Sequence, residues 1–287
     1  VKDKKPVKTV EEQLVAELRK RKLTAKEMGM VLKGLAGVNK KKYTPEKIDF
    51  PDRHIKFGAF SDAHIGHSCY RPDVLRKMIL DGKKQGIEFW INSGDTLEGM
   101  SGREGHIYEL DYIGASAQLN FFASEFQRFN KPIYSIEAQD SHGGWFKSKG
   151  NMGLNIGEEL ERRSYHYTFI GYDEQDLILD NGLKIRLRHP GGGSAYALSY
   201  KIQKYVEAIS GGQKSHMLFQ GHFHKAIYLF YRNIHCFDSA CLCNQTPFMK
   251  KIGTPAHVGY WIIDVNMYRQ KSKGVERVLS QFIPFYE

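Results

Sequence analysis

Five times in this chain a short apolar run, of the kind that forms a buried strand, stops at an aspartate or a histidine. The places are Asp62 with His64, Asp95, His142, His189, and His222 with His224. In an α/β sheet, the loops after the carboxyl ends of the strands share one edge and form the default site. Residues as distant in sequence as Asp62 and His224 can therefore meet in one pocket. A single histidine after a strand is more often structural than a ligand. Five such stops in register are hard to explain that way.

The surrounding pattern is consistent with such a sheet. Ile55, Phe57 and Ala59 alternate as a strand that runs into Ser61-Asp62-Ala63-His64, and residues 72–84 read as a helix. Residues 87–92 read as a buried strand ending at Gly94-Asp95, residues 108–129 as a long amphipathic helix, and residues 132–136 as a strand leading to Asp140-Ser141-His142. Residues 183–187 and 216–219 are further strands, before His189 and before Gly221-His222-Phe223-His224, with a helix at 195–209 between them. The last third, at 227–237, 260–265 and 278–282, is mostly strand. Strands alternating with helices early and strands running together late predict an α/β (α+β) fold of two sheets flanked by helices.

The positive charge is not spread evenly. The chain carries a net +10, and residues 1–50 hold fourteen Lys and Arg against seven Asp and Glu. Residues 11–22 and 24–32 read as two short helices, the second capped by Thr24 with Glu27 three residues on. A basic helical hairpin of this kind resembles part of a helix-turn-helix unit and would attract nucleic acid by counterion release. It equally fits a hairpin packed on a larger domain, or a solvated arm. The expected division is a basic helical module and linker over 1–45 and a large domain over 46–287. No apolar run approaches the roughly 20 residues of a membrane span, and the chain does not open on a secretory signal. The expectation is a cytoplasmic protein of a prokaryotic or phage-infected cell. The four cysteines, Cys69, Cys236, Cys241 and Cys243, have neither zinc-knuckle nor redox spacing and read as reduced, mostly buried thiols.

Imidazole and carboxylate together, without thiolate, suit borderline divalent ions. One carboxylate shared by two cations holds them at the roughly 3.5–4 Å spacing of two-metal hydrolases, where a phosphate can be clamped and a water made nucleophilic. The ordered set Asp62-Ala63-His64, Gly94-Asp95, His189 and Gly221-His222-Phe223-His224 resembles the motifs of the calcineurin-like metallophosphoesterase superfamily, over about residues 53–266. The stretch from Ile185 through Pro190-Gly191-Gly192-Gly193 to Cys243-Asn244-Gln245-Thr246-Pro247 is similar to uncharacterised phage and prokaryotic members. The resemblance implies a four-layer αββα sandwich with two divalent metal ions, Mn first, with Fe, Zn, Ni or Mg as the other choices. It implies Asp62, His64 and His224 on one metal, Asp95 bridging, and His189 and His222 on the second. It also implies a hydrolase of phosphoric esters, read here as a phosphodiesterase or nuclease. The other readings are a phosphatase or cyclic phosphodiesterase on a small nucleotide, and an inactive DNA-binding scaffold.

One motif departs from that pattern. Where the family has G-N-H-D/E, this chain reads Glu137-Ala138-Gln139-Asp140-Ser141-His142-Gly143-Gly144. A gapless register puts Gln139 on the usual Asn and Asp140 on the His. Inserting two residues puts Ser141 on the Asn and keeps His142 as the acid, which suits an imidazole near neutral pH. Gln139, Asp140 and Ser141 all remain candidates for the missing Asn. Around these, His67, Arg103 and His106 could reach substrate but read more simply as surface or supporting residues. Gly191–Gly193 could admit a phosphate to backbone amides or form a wide turn. Tyr196 and Tyr200 at i and i+4 read as core packing sooner than as a base-stacking platform. His54, His166, His216, His235 and His257 fit no ligand spacing.

Overall fold

The computed structural model describes residues 45–148, 153–193 and 195–286. The two basic helices expected at 11–22 and 24–32 lie outside the described residues. Two six-stranded mixed sheets form the frame. In one, the order is β12 (Val275–Pro284), β11 (Gly259–Met267), β2 (His54–Phe60), β3 (Phe89–Asn92), β4 (Ile133–Glu137) and β5 (Tyr167–Tyr172). In the other it is β1 (Glu46–Ile48), β6 (Glu174–Leu179), β7 (Lys184–Arg188), β8 (Met217–Gln220), β10 (Ile234–Ser239) and β9 (Ala226–Tyr231).

Alternation of side chains explains the layering. Ile55, Phe57 and Ala59 of β2 point one way and pack with Ile185, Leu187 and Phe219 of the second sheet, so the two sheets share one apolar interior. Phe60, Trp90, Ile133 and Tyr167 point the other way. They are covered by α1 (Pro72–Gln85), α2 (Ala115–Phe126) and α4 (Ile156–Arg163), with a single-turn α3 (Trp145–Ser148) between the last two. The outer face of the second sheet, at Leu218, Ile234 and Cys236, is covered by Ile202 and Val206 of α5 (Tyr200–Ala208). This is the expected order of helix, sheet, sheet and helix.

Local chemistry sets the boundaries. α1 begins on Pro72, whose missing N–H costs nothing there, and ends on Gly86 at φ 66°. The helix expected over 108–129 is shorter. A 3₁₀ turn occupies His106–Glu109, and Gly114, at φ 85° and ψ 161°, delays the α-helix to Ala115. α5 likewise starts at Tyr200 rather than near 195. Tyr196 is fully exposed and Tyr200 is 47% exposed, so the core packing expected of them does not occur. The strand span at 227–237 is a hairpin, turned by Arg232 and Asn233 at φ 49° and 64°. Three of the cysteines are buried and Cys69 is partly so. Among the described residues no helix is long and apolar enough to cross a membrane.

β2, β3 and β4 are parallel neighbours, as are β7 and β8. The five polar stops thus lie at the carboxyl ends of adjacent strands in both sheets.

Candidate metal centre

The loops after those five strands close on one another through their backbones. The peptide N–H of Asp62 donates to the Gly94 carbonyl (3.0 Å) and that of His64 to the Asp95 carbonyl (3.1 Å). Gly221 N–H reaches the Arg188 carbonyl (3.0 Å), which ties the end of β8 to the end of β7. His222 N–H lies 2.9 and 3.1 Å from the two carboxylate oxygens of Asp62, linking the sheets. Glycine is required here by proximity. A Cβ on Gly221 would lie 2.2 Å from Ser61 Oγ and 2.9 Å from His189 Nδ1.

All seven anticipated site residues come together; six of them fall into two clusters, and His142 groups with His64 and Glu98 beside them. The ligand atoms of Asp62, His64 and His224 lie within 4.8 Å of one another, as do those of Asp95, His189 and His222. In the first cluster His64 Nε2 lies 2.9 Å from His224 Nε2, and each faces Asp62 Oδ1, at 3.8 and 3.4 Å. In the second, His189 Nε2 is buried without an aligned hydrogen bond, 3.0 Å from Asp95 Oδ2.

Three of the four rings are oriented by their other nitrogen, whereas His224 Nδ1 is buried without a hydrogen-bond partner. His189 Nδ1 is 2.6 Å from the Ser93 carbonyl, and His222 Nε2 is 2.7 Å from the Gly192 carbonyl. His64 Nδ1 is 2.8 Å from Glu98 Oε2. A carbonyl or carboxylate there accepts an N–H, so the lone pair of the opposite nitrogen is presented to the cluster, the arrangement of metal-binding histidines. The glycine run at 191–193 lends a carbonyl to His222 by this contact.

The electrostatics call for positive charge. Burial alone would raise Asp62 and Asp95, but the imidazoles beside them, His224 and His189 respectively, outweigh it and hold both well below the ordinary carboxylate range. In return His189 is pushed up to about 9, against its burial, by the Asp95 carboxylate. A divalent cation held by these residues would meet the same demand in place of those protons. The donor set, the oriented lone pairs and the unpaired His189 Nε2 all fit such an ion.

Glu98, missed by the sequence reading, organises the rest. Its buried carboxylate takes His64 Nδ1 at 2.8 Å, His106 Nε2 at 2.7 Å and His142 Nδ1 at 3.2 Å. The His64–Glu98–His142 grouping is thus already closed by hydrogen bonds. His142 Nε2 is left 3.8 Å from Asp95 Oδ2. Burial opposes its protonation, but Glu98 and Asp95 prevail and push it up to about 9.

The departing motif resolves into two directions. Gln139 is turned away, its backbone and side-chain N–H groups both on Asp173, at 2.9 and 2.8 Å. Asp140 is exposed. Ser141 faces the site, its hydroxyl 3.0 and 3.2 Å from the two oxygens of Asp95. His67 is buried in the wall of the site cavity, its Nδ1 accepting the Cys69 N–H at 2.9 Å. Arg103 lies on the rim in a paired contact with Glu109, at 2.6 and 3.0 Å. His54, His166, His216, His235 and His257 line no part of the cavity. That cavity, about 1330 Å³, is floored by His64, His142, His189, His222 and His224 and walled by Trp145, Phe223 and Phe248.

No family model and no curated protein matches the chain. Among solved structures it is similar to an archaeal phosphodiesterase, at 14% identity over 80% of this chain and 100% of that one, with a TM-score of 0.45. It is similar to Vps29 of Entamoeba histolytica complexed with zinc, at 10% identity, 81% and 100% coverage and a TM-score of 0.39. A Streptococcus pneumoniae protein predicted to be a phosphoesterase gives 12% identity, 81% and 98% coverage and a TM-score of 0.38. At these identities and TM-scores the chemistry must be read from the site itself.

Proposed function

We propose that this chain is a dinuclear-metal-dependent phosphoesterase, a phosphodiesterase or nuclease that acts on nucleic acid. Residues 46–287 are its catalytic domain, and the basic residues 1–45 hold the polyanion. The observation that carries this is the pair of adjoining clusters, Asp62/His64/His224 and Asp95/His189/His222, each within 4.8 Å. Each offers one carboxylate and two imidazoles, a donor set for Mn²⁺, Fe²⁺ or Zn²⁺. Bound there, two such ions would neutralise the phosphate and acidify the attacking water.

The chain supplies the remaining work. Asp95 is the carboxylate of the second cluster, and the Ser141 hydroxyl, donating to it, fixes its plane. His142 carries the proton for the leaving oxygen on Nε2, which faces the cavity, while Glu98 holds Nδ1–H and stabilises the imidazolium. Trp145 packs against the His142 ring at 4.7 Å and limits its rotation.

The test is hydrolysis of bis(p-nitrophenyl) phosphate and of a labelled DNA strand, with Mn²⁺ and with EDTA, for wild type and Asp95→Asn. Mn²⁺-dependent turnover of both, lost in the variant, is the expected result. Turnover of the small diester alone would replace the nuclease assignment with a small-nucleotide phosphodiesterase. No turnover with metal bound would leave the scaffold reading.

A further inference from the structure

β7 carries two arginines on its outward face, Arg186 and Arg188, alternating with the inward Ile185 and Leu187. Both meet Tyr205 of α5, yet their guanidiniums are paired very differently. Arg186 is closed. It donates to both oxygens of Asp176 at 2.7 and 3.0 Å, to the Gln213 carbonyl at 3.1 Å and to the Tyr205 hydroxyl at 3.2 Å. Arg188 lies over the Tyr205 ring, with Cζ 4.0 Å from the centroid. Among the described residues its one hydrogen-bond partner is Gln220 Oε1. The neighbouring carboxylate of Glu174 stands 4.0 Å away and is shared with Arg186 at 3.4 Å.

This guanidinium is held in place and left short of anions. Gln220 is fully buried, and its amide nitrogen donates to Asp238 Oδ1 at 2.9 Å, which turns the amide oxygen towards Arg188. The Arg188 side chain is 21% exposed, and it lines the same cavity as His189 and His222. A stacked, oriented guanidinium presents a planar fork that suits phosphate and loses little entropy on binding it.

We infer that Arg188 binds the phosphate next to the one being cleaved, so that the site favours phosphodiesters carrying a neighbouring phosphate. This rests on the phosphodiesterase reading above and names its specificity residue. The position follows from the chain itself. Arg188 precedes His189, and Gln220 stands two residues before His222, so the anion it holds lies beside the second metal-type cluster.

The probes are thymidylyl-thymidine and its 5′-phosphorylated form. Their dissociation constants are measured by calorimetry on the full chain, with Mn²⁺ and again in EDTA, beside turnover of bis(p-nitrophenyl) phosphate. Wild type should bind the phosphorylated dinucleotide about tenfold more tightly, the scale of one charge-assisted hydrogen-bonded contact. Arg188→Gln should bring the two constants within about twofold. Arg188→Lys, which keeps the charge without the fork, should fall between. Tyr205→Phe, which keeps the ring, should retain the preference. An equal preference in wild type and Arg188→Gln, no preference in wild type, or no measurable binding of the phosphorylated form would each overturn the proposal. If the preference stands and bis(p-nitrophenyl) phosphate is not turned over, Arg188 survives as an anion site and the phosphodiesterase reading fails.

Discussion

Glu98→Gln isolates the group on which the acid and one metal-type ligand both depend. The substitution keeps the shape and removes the charge. Glu98 Oε2 accepts from His64 Nδ1 and His142 Nδ1, and Oε1 from His106 Nε2. An amide must turn an NH₂ towards one of these sites, where it meets an N–H. Turned towards His106, it forces that ring into its other tautomer, which conflicts with the Ser101 N–H that His106 Nδ1 accepts at 3.2 Å. Either orientation leaves a buried donor unpaired, at about 1–3 kcal/mol. The electrostatic effect is separate. His142 is raised from 6.5 to about 9, equivalent to about 3 kcal/mol in favour of the imidazolium, and Glu98 is foremost among the groups that raise it. The His142 imidazole should therefore titrate at least about one unit lower in the variant, measured by NMR on metal-free protein. Mn²⁺ affinity should fall about 10–100-fold, because His64 loses the partner that fixes its tautomer. An unchanged His142 titration together with wild-type Mn²⁺ affinity would refute the role given to Glu98.

Asp95→Asn should abolish metal-dependent turnover and weaken Mn²⁺ binding, read by activity and by metal titration. Gly99→Ala should destabilise by about 3 kcal/mol, seen as a lowered Tm, because its Cβ would stand 1.9 Å from the His142 carbonyl oxygen at φ +75°. The stability of metal-free protein should depend on pH through its buried histidines. His142 and His189, raised to about 9, contribute stability that is complete below their unfolded pKa of about 6.5 and is lost as pH rises through 9. His64, lowered to about 4 mainly by burial, costs stability as pH falls from 6.5 towards 4. Tm against pH in EDTA should show both limbs, and a flat profile would contradict them. Removing residues 1–45 should weaken DNA binding and flatten the dependence of log K on log salt, whose slope is about −0.9 per phosphate contacted on duplex DNA.

What the sequence made legible was whatever repeats locally. Apolar runs such as Ile55–Phe57–Ala59 and residues 216–219 announce strands, and polar residues that follow each run must share an edge. That was enough to gather Asp62, His64, Asp95, His142, His189, His222 and His224. β5 and β6 escaped because their inward residues are diluted. Thr168, Gly171 and Tyr172 interrupt β5, and β6 opens Glu174-Gln175-Asp176 before its apolar Leu177 and Leu179. Glu98 escaped for a deeper reason. Its role is defined by His64 and His142, which lie 34 and 44 residues away, and His106 is the one imidazole partner close to it in sequence. Arg186 and Arg188 are likewise indistinguishable in sequence, and only Asp176 and Gln213 make one of them closed.

The backbone at the site explains why the ligand positions are both restricted and costly. Ten described non-glycine residues have positive φ, and six of them are Asp62, His64, Asp95, His142, His222 and His224. Four of the five strands, all but the one before His189, therefore turn sharply at their stops, in a conformation that costs a non-glycine residue about 1–2 kcal/mol. Glycine would relieve that cost and supply no ligand. Asp and His are among the few side chains enriched in this conformation, and they are also the ones that bind metals. Opposing hydrogen bonds hold the turns, such as Leu242 N–H on the Asp62 carbonyl at 3.1 Å and His257 N–H on the His224 carbonyl at 2.8 Å. The strain is thus offset by a lattice between loops, so no one loop can relax without releasing its neighbours. His64→Gly should then lower metal affinity while costing less stability than His64→Ala, since glycine regains the turn and alanine does not. Equal Tm values for the two variants would show that the turn at His64 carries no strain.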